Sequence, residues 1–189
     1  MNQSSSNSKL KNKLELKLLD NPKYSSEWVN SASHLMTVCG LTEDECAMYD
    51  ADQLEMLVSI FTSAQSNKNI NINKFMNPQL NATQMQVIVT GYSHGLTSED
   101  LDIFFDPSIP YAISNWAITA LCDGYNLNRY VEEGFTKDQL YEIYAGLKDG
   151  IDVSLYDKVD MPPEKMAIIH HASVLGLKVE VGENYKLTI

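Results

Sequence analysis

The chain has 189 residues, of which 44% are hydrophobic, and its formal net charge is −11. This length and composition fit a globular protein with a buried core and exclude a largely disordered chain. Because no stretch approaches the ~20 apolar residues of a membrane span, and the polar N-terminus lacks the apolar core of a signal peptide, we expect a cytoplasmic protein without membrane contact.

The N-terminal segment differs in charge from the rest. Residues 1–8 (MNQSSSNS) are low-complexity and are predicted to be disordered. Residues 9–23 are predicted to contain an amphipathic capping helix, whose apolar face consists of Leu10, Leu14, Leu18 and Leu19. Residues 1–23 hold five lysines against two acids, whereas the rest holds nine basic and 23 acidic residues. The body of the protein should therefore repel nucleic acid and attract basic surfaces. An excess of acidic residues also has a simpler explanation, because it keeps a protein soluble.

Residues 24–178 contain an internal pattern of about six units. In the clearest units an apolar residue lies ten positions before a glycine, a second lies seven before it, and a small residue lies four before it. The glycines, with an alanine in one unit, recur every 24 to 31 residues at Gly40, Ala64, Gly95, Gly124, Gly150 and Gly176. These offsets place the apolar residues on one helix face, and the small residue, such as Gly146, is predicted to let a neighbouring helix approach.

The ends of the predicted helices are also marked. Each anchor glycine fits the left-handed position after a helix C-terminus. Capping boxes are predicted at Thr42/Glu45, Asp50/Gln53, Asn81/Gln84 and Thr136/Gln139. Short second helices are predicted within 41–49, 96–105, 125–133 and 151–156. We therefore predict an all-α fold of tandem helix-hairpin repeats, stacked as an α-solenoid-like array.

Two segments interrupt this pattern. Residues 65–74 (QSNKNININK) are predicted to be an Asn-rich surface loop. Residues 179–189 alternate around Gly182-Glu183-Asn184 and predict a short C-terminal β-hairpin. Because a lone hairpin is marginal in water, it should cover the last repeat or pair with a second chain, which makes a homodimer one expected form of the protein.

The repeated sequence motif resembles that of tandem helical-repeat proteins from bacterial phages, plasmids and conjugative elements. The resemblance covers about residues 24–178 and is clearest in Gln139–Asp157, Gln84–Leu96 and Phe105–Pro110. These motifs imply packing rather than chemistry. Some small acidic proteins of such elements are anti-CRISPR inhibitors, and this chain is similar to them in size and charge.

Catalytic and metal-binding motifs are not recognisable in the sequence. It has no phosphate-binding glycine loop, nucleophile elbow or His-Glu-x-x-His motif. Adjacent helical residues diverge by about 100°, so His170 and His171 do not suit one metal, and His170 should lie half-buried between repeats. Cys39, Cys46 and Cys122 match no zinc spacing and are expected to be reduced core thiols. We expect no enzymatic activity, cofactor or metal.

The leading hypothesis is a mobile-element inhibitor that binds a basic protein surface. Acidic residues recur after the anchors, at Glu43, Asp44, Glu45, Glu99, Asp100, Asp102, Glu132, Glu133, Asp152 and Asp157. If the repeats stack, these acids should form a ridge that blocks the groove of a nucleic-acid-binding enzyme, such as an RNA-guided nuclease. The alternatives are a scaffold or adaptor that grips a peptide or protein, and a DNA-binding regulator, for which only the N-terminal residues supply basic charge.

Overall fold

The computed structural model describes residues 3–18, 24–182 and 187–188. The fold is predominantly helical, as the sequence predicts. The described residues belong to two compact units, one within 1–92 and 97–107 and the other within 93–96 and 108–189. The single repeat domain over residues 24–178, and the order of its helices as tandem repeats, stay predictions.

The first unit is built from helices of very different length. They are α1 (Gln3–Leu18), α2 (Ser26–His34) with a π-helical turn (Leu35–Cys39), α3 (Glu43–Cys46), α4 (Ala51–Ser66), α5 (Ile72–Phe75), α6 (Ala82–Ser93) and a 3-10 turn (Asp102–Phe105). Helix α2 packs against both α1 and α4. Trp28 and Tyr49 are fully buried, and the Trp28 Nε1 donates to the Tyr49 carbonyl at 3.1 Å.

The second unit has three long helices that pack in chain order. Its elements are α7 (Tyr111–Cys122), α8 (Asn128–Glu132), α9 (Lys137–Lys148), a 3-10 turn (Val153–Leu155), α10 (Pro163–Val174), β1 (Glu180–Val181) and β2 (Leu187–Thr188). Helix α7 packs against α9, and α9 packs against α10. In the segment of the predicted hairpin, β1 and β2 run antiparallel with Glu180 opposite Thr188.

The predicted helix boundaries are largely confirmed. All four capping boxes form, and each of the four short second segments contains a short helix. The five anchor glycines all have φ between +70° and +89°, where a side chain would be strained. At the sixth anchor Ala64 is buried within α4, which continues to Ser66 before it ends.

Three expectations need correction. Helix α1 begins at Gln3, so residues 3–8 are helical rather than disordered. The Asn-rich segment is only partly a surface loop, because Ile70 is buried and α5 begins at Ile72. A Cβ at the small residue Gly146 would meet Tyr156 and Val153 first, so the closest approach there is made by the 3-10 turn that follows its own helix rather than by a neighbouring long helix.

Three buried glutamines, one each in α4, α6 and α9, join their helix to the chain segment that precedes the next long helix. Gln53, Gln84 and Gln139 each accept a hydrogen bond from the N-cap backbone of their own helix through Oε1. Their Nε2 groups then donate to backbone carbonyls 20 to 27 residues later, at Pro78 and Leu80, at Pro107, and at Val159 and Met161. In three helices, a glutamine side chain thus caps the start of its own helix and also binds the backbone that leads to the next long helix.

Candidate protein-interaction surface

The ten predicted acids fall into three groups. Glu45, Asp100 and Asp152 accept hydrogen bonds from the backbone at the start of short helices or turns, and these bonds hold the pKa of each carboxyl below its usual value. Three others form ion pairs with basic side chains, at Asp102, Glu133 and Asp157. Of the remaining four, Glu43 is half-buried, while Asp44, Glu99 and Glu132 are exposed and have no side-chain partner among the described residues.

The ion pairs link one short helical segment to the next. In the first unit Lys74 of α5 pairs with Asp102, which lies 28 residues later in the 3-10 turn. In the second unit Arg129 of α8 pairs with Asp157, also 28 residues later, at 2.7 Å. Arg129 also contacts Glu133 at 3.4 Å, so it brings two of the predicted acids together. Part of the predicted acidic surface is therefore neutralised locally.

An aromatic cluster lies across α7 and α9. The rings of Trp116 and Tyr141 meet edge to face with centroids 5.3 Å apart, and Trp116 also contacts Tyr144 at 6.2 Å. Tyr125 packs edge to face on Tyr144 at 5.8 Å. Tyr144 is buried, Trp116 and Tyr125 are half-buried, and Tyr141 keeps 46% of its surface exposed. We call these four residues the aromatic surface.

Polar contacts fix the buried end of the aromatic surface. The Tyr144 hydroxyl donates to the Asp123 carboxylate in a short hydrogen bond. Lys148 donates to the same carboxylate at 3.3 Å and to the Tyr144 oxygen at 2.9 Å. The Tyr144 hydroxyl first, and Lys148 second, lower the pKa of Asp123. The cluster is thus held in one arrangement while Tyr141 and Trp116 remain accessible.

The contact between α9 and α10 resembles the contact that Asp123 and Tyr144 make between α7 and α9. His170 is buried, its Nε2 lies 2.9 Å from an Asp149 carboxylate oxygen, and its Nδ1 lies 3.6 Å from Glu142. His170 is six residues before Gly176, and Tyr144 is six before Gly150. Asp149 and Asp123 each directly precede an anchor glycine. The sequence placed His170 half-buried between repeats, and it is in fact buried against α9.

Among the described residues, no group of three His, Cys, Asp or Glu side chains could hold a metal ion. The cysteines are free thiols: Cys46 is buried, and Cys39 and Cys122 are half-buried. Burial raises the pKa of the Cys46 thiol to about 11, which makes its thiolate scarce at neutral pH.

The contacts of Asp123 predict a pH-dependent contribution to stability. A carboxyl whose pKa is lowered on folding stabilises the folded state above its unfolded pKa, and this stabilisation is lost as the pH falls through the folded pKa. We expect Asp123→Asn to unfold more easily than the wild type at neutral pH, with the difference shrinking below about pH 4. Urea titrations of both proteins at several pH values measure this, with Glu55→Gln as the control, because Glu55 is exposed beyond the first turn of α4 and makes no described side-chain contact. A difference that stays constant with pH would contradict it.

The sequence did not single out the aromatic surface. A signal was present in the spacing. Trp116 and Tyr141 are 25 residues apart and their anchor glycines are 26 apart, so the two rings lie at nearly equivalent positions of two helices. Helical periodicity alone gives no measure of exposure, so Trp116 and Tyr141 could not be distinguished from core aromatics such as Tyr92.

Comparisons with known proteins identify no relatives. No protein-family model matches the chain, and neither the curated proteins nor the solved structures contain a match. In the described part of the chain, no helix combines the length and apolar character needed to cross a membrane.

Proposed function

We propose that the protein is a non-enzymatic tandem helical-repeat protein that binds another protein, with the aromatic surface at the centre of the contact. The observation on which this rests is the Trp116–Tyr141 pair, which is partly exposed and anchored from below by Asp123, Tyr144 and Lys148. Tryptophan and tyrosine are the residues most enriched where binding energy concentrates in protein interfaces.

Recurring contacts support the repeat arrangement. The glutamines Gln53, Gln84 and Gln139 perform equivalent tasks at three helix starts. Two ion pairs each join residues that are 28 apart in the sequence. Tyr144 and His170 each contact the aspartate that directly precedes an anchor glycine, and in both contacts the two residues are 21 apart. In a stack of repeats each unit contacts its neighbours in the same way, and this predicts such equal spacings.

The charge favours a basic partner. Residues 24–107 contain only two lysines, Lys68 and Lys74, and Lys74 is paired with Asp102. The exposed acids Asp44, Glu99 and Glu132 have no described side-chain partner. In each unit, exposed carboxylates of this kind favour a basic partner, and basic protein surfaces often bind nucleic acid, so we propose that the protein inhibits an enzyme of that class, in the manner of an anti-CRISPR protein.

The aromatic surface is tested by two tyrosines of nearly equal exposure. Tyr141 is 46% exposed and belongs to the surface, whereas Tyr111 is 44% exposed and makes no ring contact among the described residues. With a partner captured from nuclease-treated bacterial lysate, we expect Tyr141→Ala to weaken binding by about 2 kcal/mol, or roughly thirtyfold, and Tyr111→Ala to leave it nearly unchanged. Isothermal titration calorimetry on both folded variants measures the difference.

A second arm tests the acids separately. Replacing Asp44, Glu99 and Glu132 with lysine removes no described side-chain contact, so the fold should be retained. We expect slower association with a shallower salt dependence, because steering charges act mainly on the association rate. Equal weakening by Tyr141→Ala and Tyr111→Ala would contradict the aromatic surface, and an unchanged salt dependence would contradict the basic partner.

A further inference from the structure

The first unit contains a pocket of about 410 Å³ that is lined by residues of α2, the π-helical turn, α4 and α5. Its volume falls within the range of small-molecule sites, roughly 300–1,000 Å³. Val38 and Cys39 of the π-helical turn, Phe61 of α4 and Ile72 of α5 supply apolar lining. The size and the lining therefore fit a small organic molecule.

The pocket lies where the chain departs from the predicted repeat pattern. The π-helical turn comes directly before the first anchor glycine, and π-helical turns occur frequently at functional sites. Ala64 replaces the glycine of another anchor, so α4 continues to Ser66, and residues 65–74 are the Asn-rich insertion. Each of these three departures supplies residues that line the pocket. The parts of the first unit that a regular repeat would lack are thus the parts that form this cavity.

The charge of the pocket is opposite to that of its surroundings. Residues 24–107 contain eleven acidic residues and only two lysines, yet Lys68 lines the pocket and no acidic residue does. Lys68 has no side-chain partner among the described residues, and His34 adds a ring N–H to the same lining. Burial raises the pKa of the Cys39 thiol, so this side chain adds no negative charge at neutral pH. The pocket therefore favours an anion in a part of the chain that otherwise repels one.

Polar contacts hold the backbone on both sides of Lys68. The Asn67 side chain donates to the Tyr92 carbonyl at 3.3 Å and accepts from the Asn69 backbone N–H at 3.0 Å. The Ser98 hydroxyl donates to the Asn69 carbonyl at 2.7 Å. Because the segment is already ordered by these bonds, a ligand does not have to order it on binding, and this favours affinity.

We propose that the pocket binds a small monocarboxylate with an apolar body, such as a medium-chain fatty acid. The carboxylate pairs with the Lys68 ammonium and accepts from His34, while the apolar body lies against Val38, Phe61 and Ile72. One unpaired lysine balances one negative charge, which favours a monoanion over a phosphate ester or an acidic peptide. An apolar lining with a few polar groups that orient the ligand is the usual composition of such sites. This inference goes beyond the proposed function and does not depend on the aromatic surface, which belongs to the second unit.

Ligand titrations test the role of the charge. Octanoate is titrated into the full chain at pH 7 by isothermal titration calorimetry, with 1-octanol as the neutral molecule of the same length. We expect saturable binding of one octanoate per chain, and about fivefold weaker binding of 1-octanol, because it lacks the ion pair. Lys68→Gln should weaken octanoate binding by about fivefold and remove the preference over 1-octanol.

Lys158→Gln is the matched control for this titration. Lys158 is also exposed, lies outside the pocket and makes no described side-chain contact, so its replacement should leave the affinity for both molecules unchanged. Absence of saturable octanoate binding, equal affinity of the wild type for the two molecules, or equal weakening by the two lysine variants would overturn the proposal.

A carboxylate placed in the lining tests the location. Val38 keeps 57% of its surface exposed, so Val38→Glu should fold and bring a negative charge beside the ligand. Met48 is equally exposed in the same unit and does not line the pocket, which makes Met48→Glu the control. We expect Val38→Glu to weaken octanoate binding by about tenfold, through repulsion and lost apolar contact, and Met48→Glu to leave it unchanged. Circular dichroism checks that both variants fold, and equal octanoate affinity of the two would overturn the placement of the ligand in this pocket.

Discussion

Gly146→Ala is expected to lower the free energy of unfolding by about 1–3 kcal/mol, although alanine normally favours a helix over glycine by about 0.5–1 kcal/mol. The reason is that a Cβ at this position would overlap the hydroxyl of Tyr156 and lie 3.0 Å from Val153 Cγ1. Tyr156 is fully buried and has little room to move. A lower free energy of unfolding would show that steric overlap with Tyr156 outweighs the helix propensity of alanine, and a higher one would show the reverse. Chemical denaturation measures the change.

A double-mutant cycle identifies the hydroxyl as the cause. Tyr156→Phe removes the overlapping oxygen and a long hydrogen bond of 3.5 Å to the Glu142 carbonyl. We expect Gly146→Ala to cost clearly less in the Tyr156→Phe background than in the wild type. If alanine stabilised the wild-type protein, or if its cost were the same in both backgrounds, Gly146 would not be packed against Tyr156.

Gln139→Glu is expected to cost more than about 2 kcal/mol. Gln139 is only 3% exposed, and its Nε2 donates to the carbonyls of Val159 and Met161 at 2.8 and 2.9 Å. Glutamate keeps the oxygen that accepts from Thr136, but it cannot donate, so two carbonyls lose their donor and face a carboxylate. A buried acceptor without a donor costs about 1–3 kcal/mol. The variant should regain part of its stability at acid pH, where the protonated carboxyl donates one bond.

Gln53→Glu provides the matched experiment in the first unit. Gln53 donates to the carbonyls of Pro78 and Leu80 at 2.9 and 2.6 Å and is 6% exposed. If the two glutamines are equivalent parts of a repeat, the two substitutions should cost similar amounts and show the same recovery at acid pH. A large loss at one site with none at the other would argue that the shared contacts do not reflect a shared unit.

Local chemistry explains why helix ends were the most predictable part of the fold. Capping residues such as Thr136 and left-handed glycines such as Gly150 act within one turn of the chain, and the structure confirms both. The second task of Gln139 could not be predicted, because its carbonyl partners lie at least 20 residues away. The same holds for Gly146, whose need for a small side chain depends on where Tyr156 lies.

The candidate site was less predictable, because charge in sequence does not show which charges are already paired. Asp157 and Asp102 look like free acids in the sequence, but Arg129 and Lys74 neutralise them from 28 residues away. Tyr141 can contribute to binding because part of its side chain stays exposed, and that exposure depends on how α7 and α9 pack. The residue spacing predicted a helix there but not which of its aromatic side chains would be exposed.

The most direct test of protein binding through the aromatic surface is site-specific photo-cross-linking. A photoreactive phenylalanine analogue is placed at position 141 in one variant and at position 111 in another, and each is irradiated in nuclease-treated bacterial lysate. We predict one dominant cross-linked protein from position 141, little or none from position 111, and loss of the product when untreated wild-type protein is added in excess. Equal products from both positions, or a product that excess wild type does not displace, would contradict a specific partner at this surface.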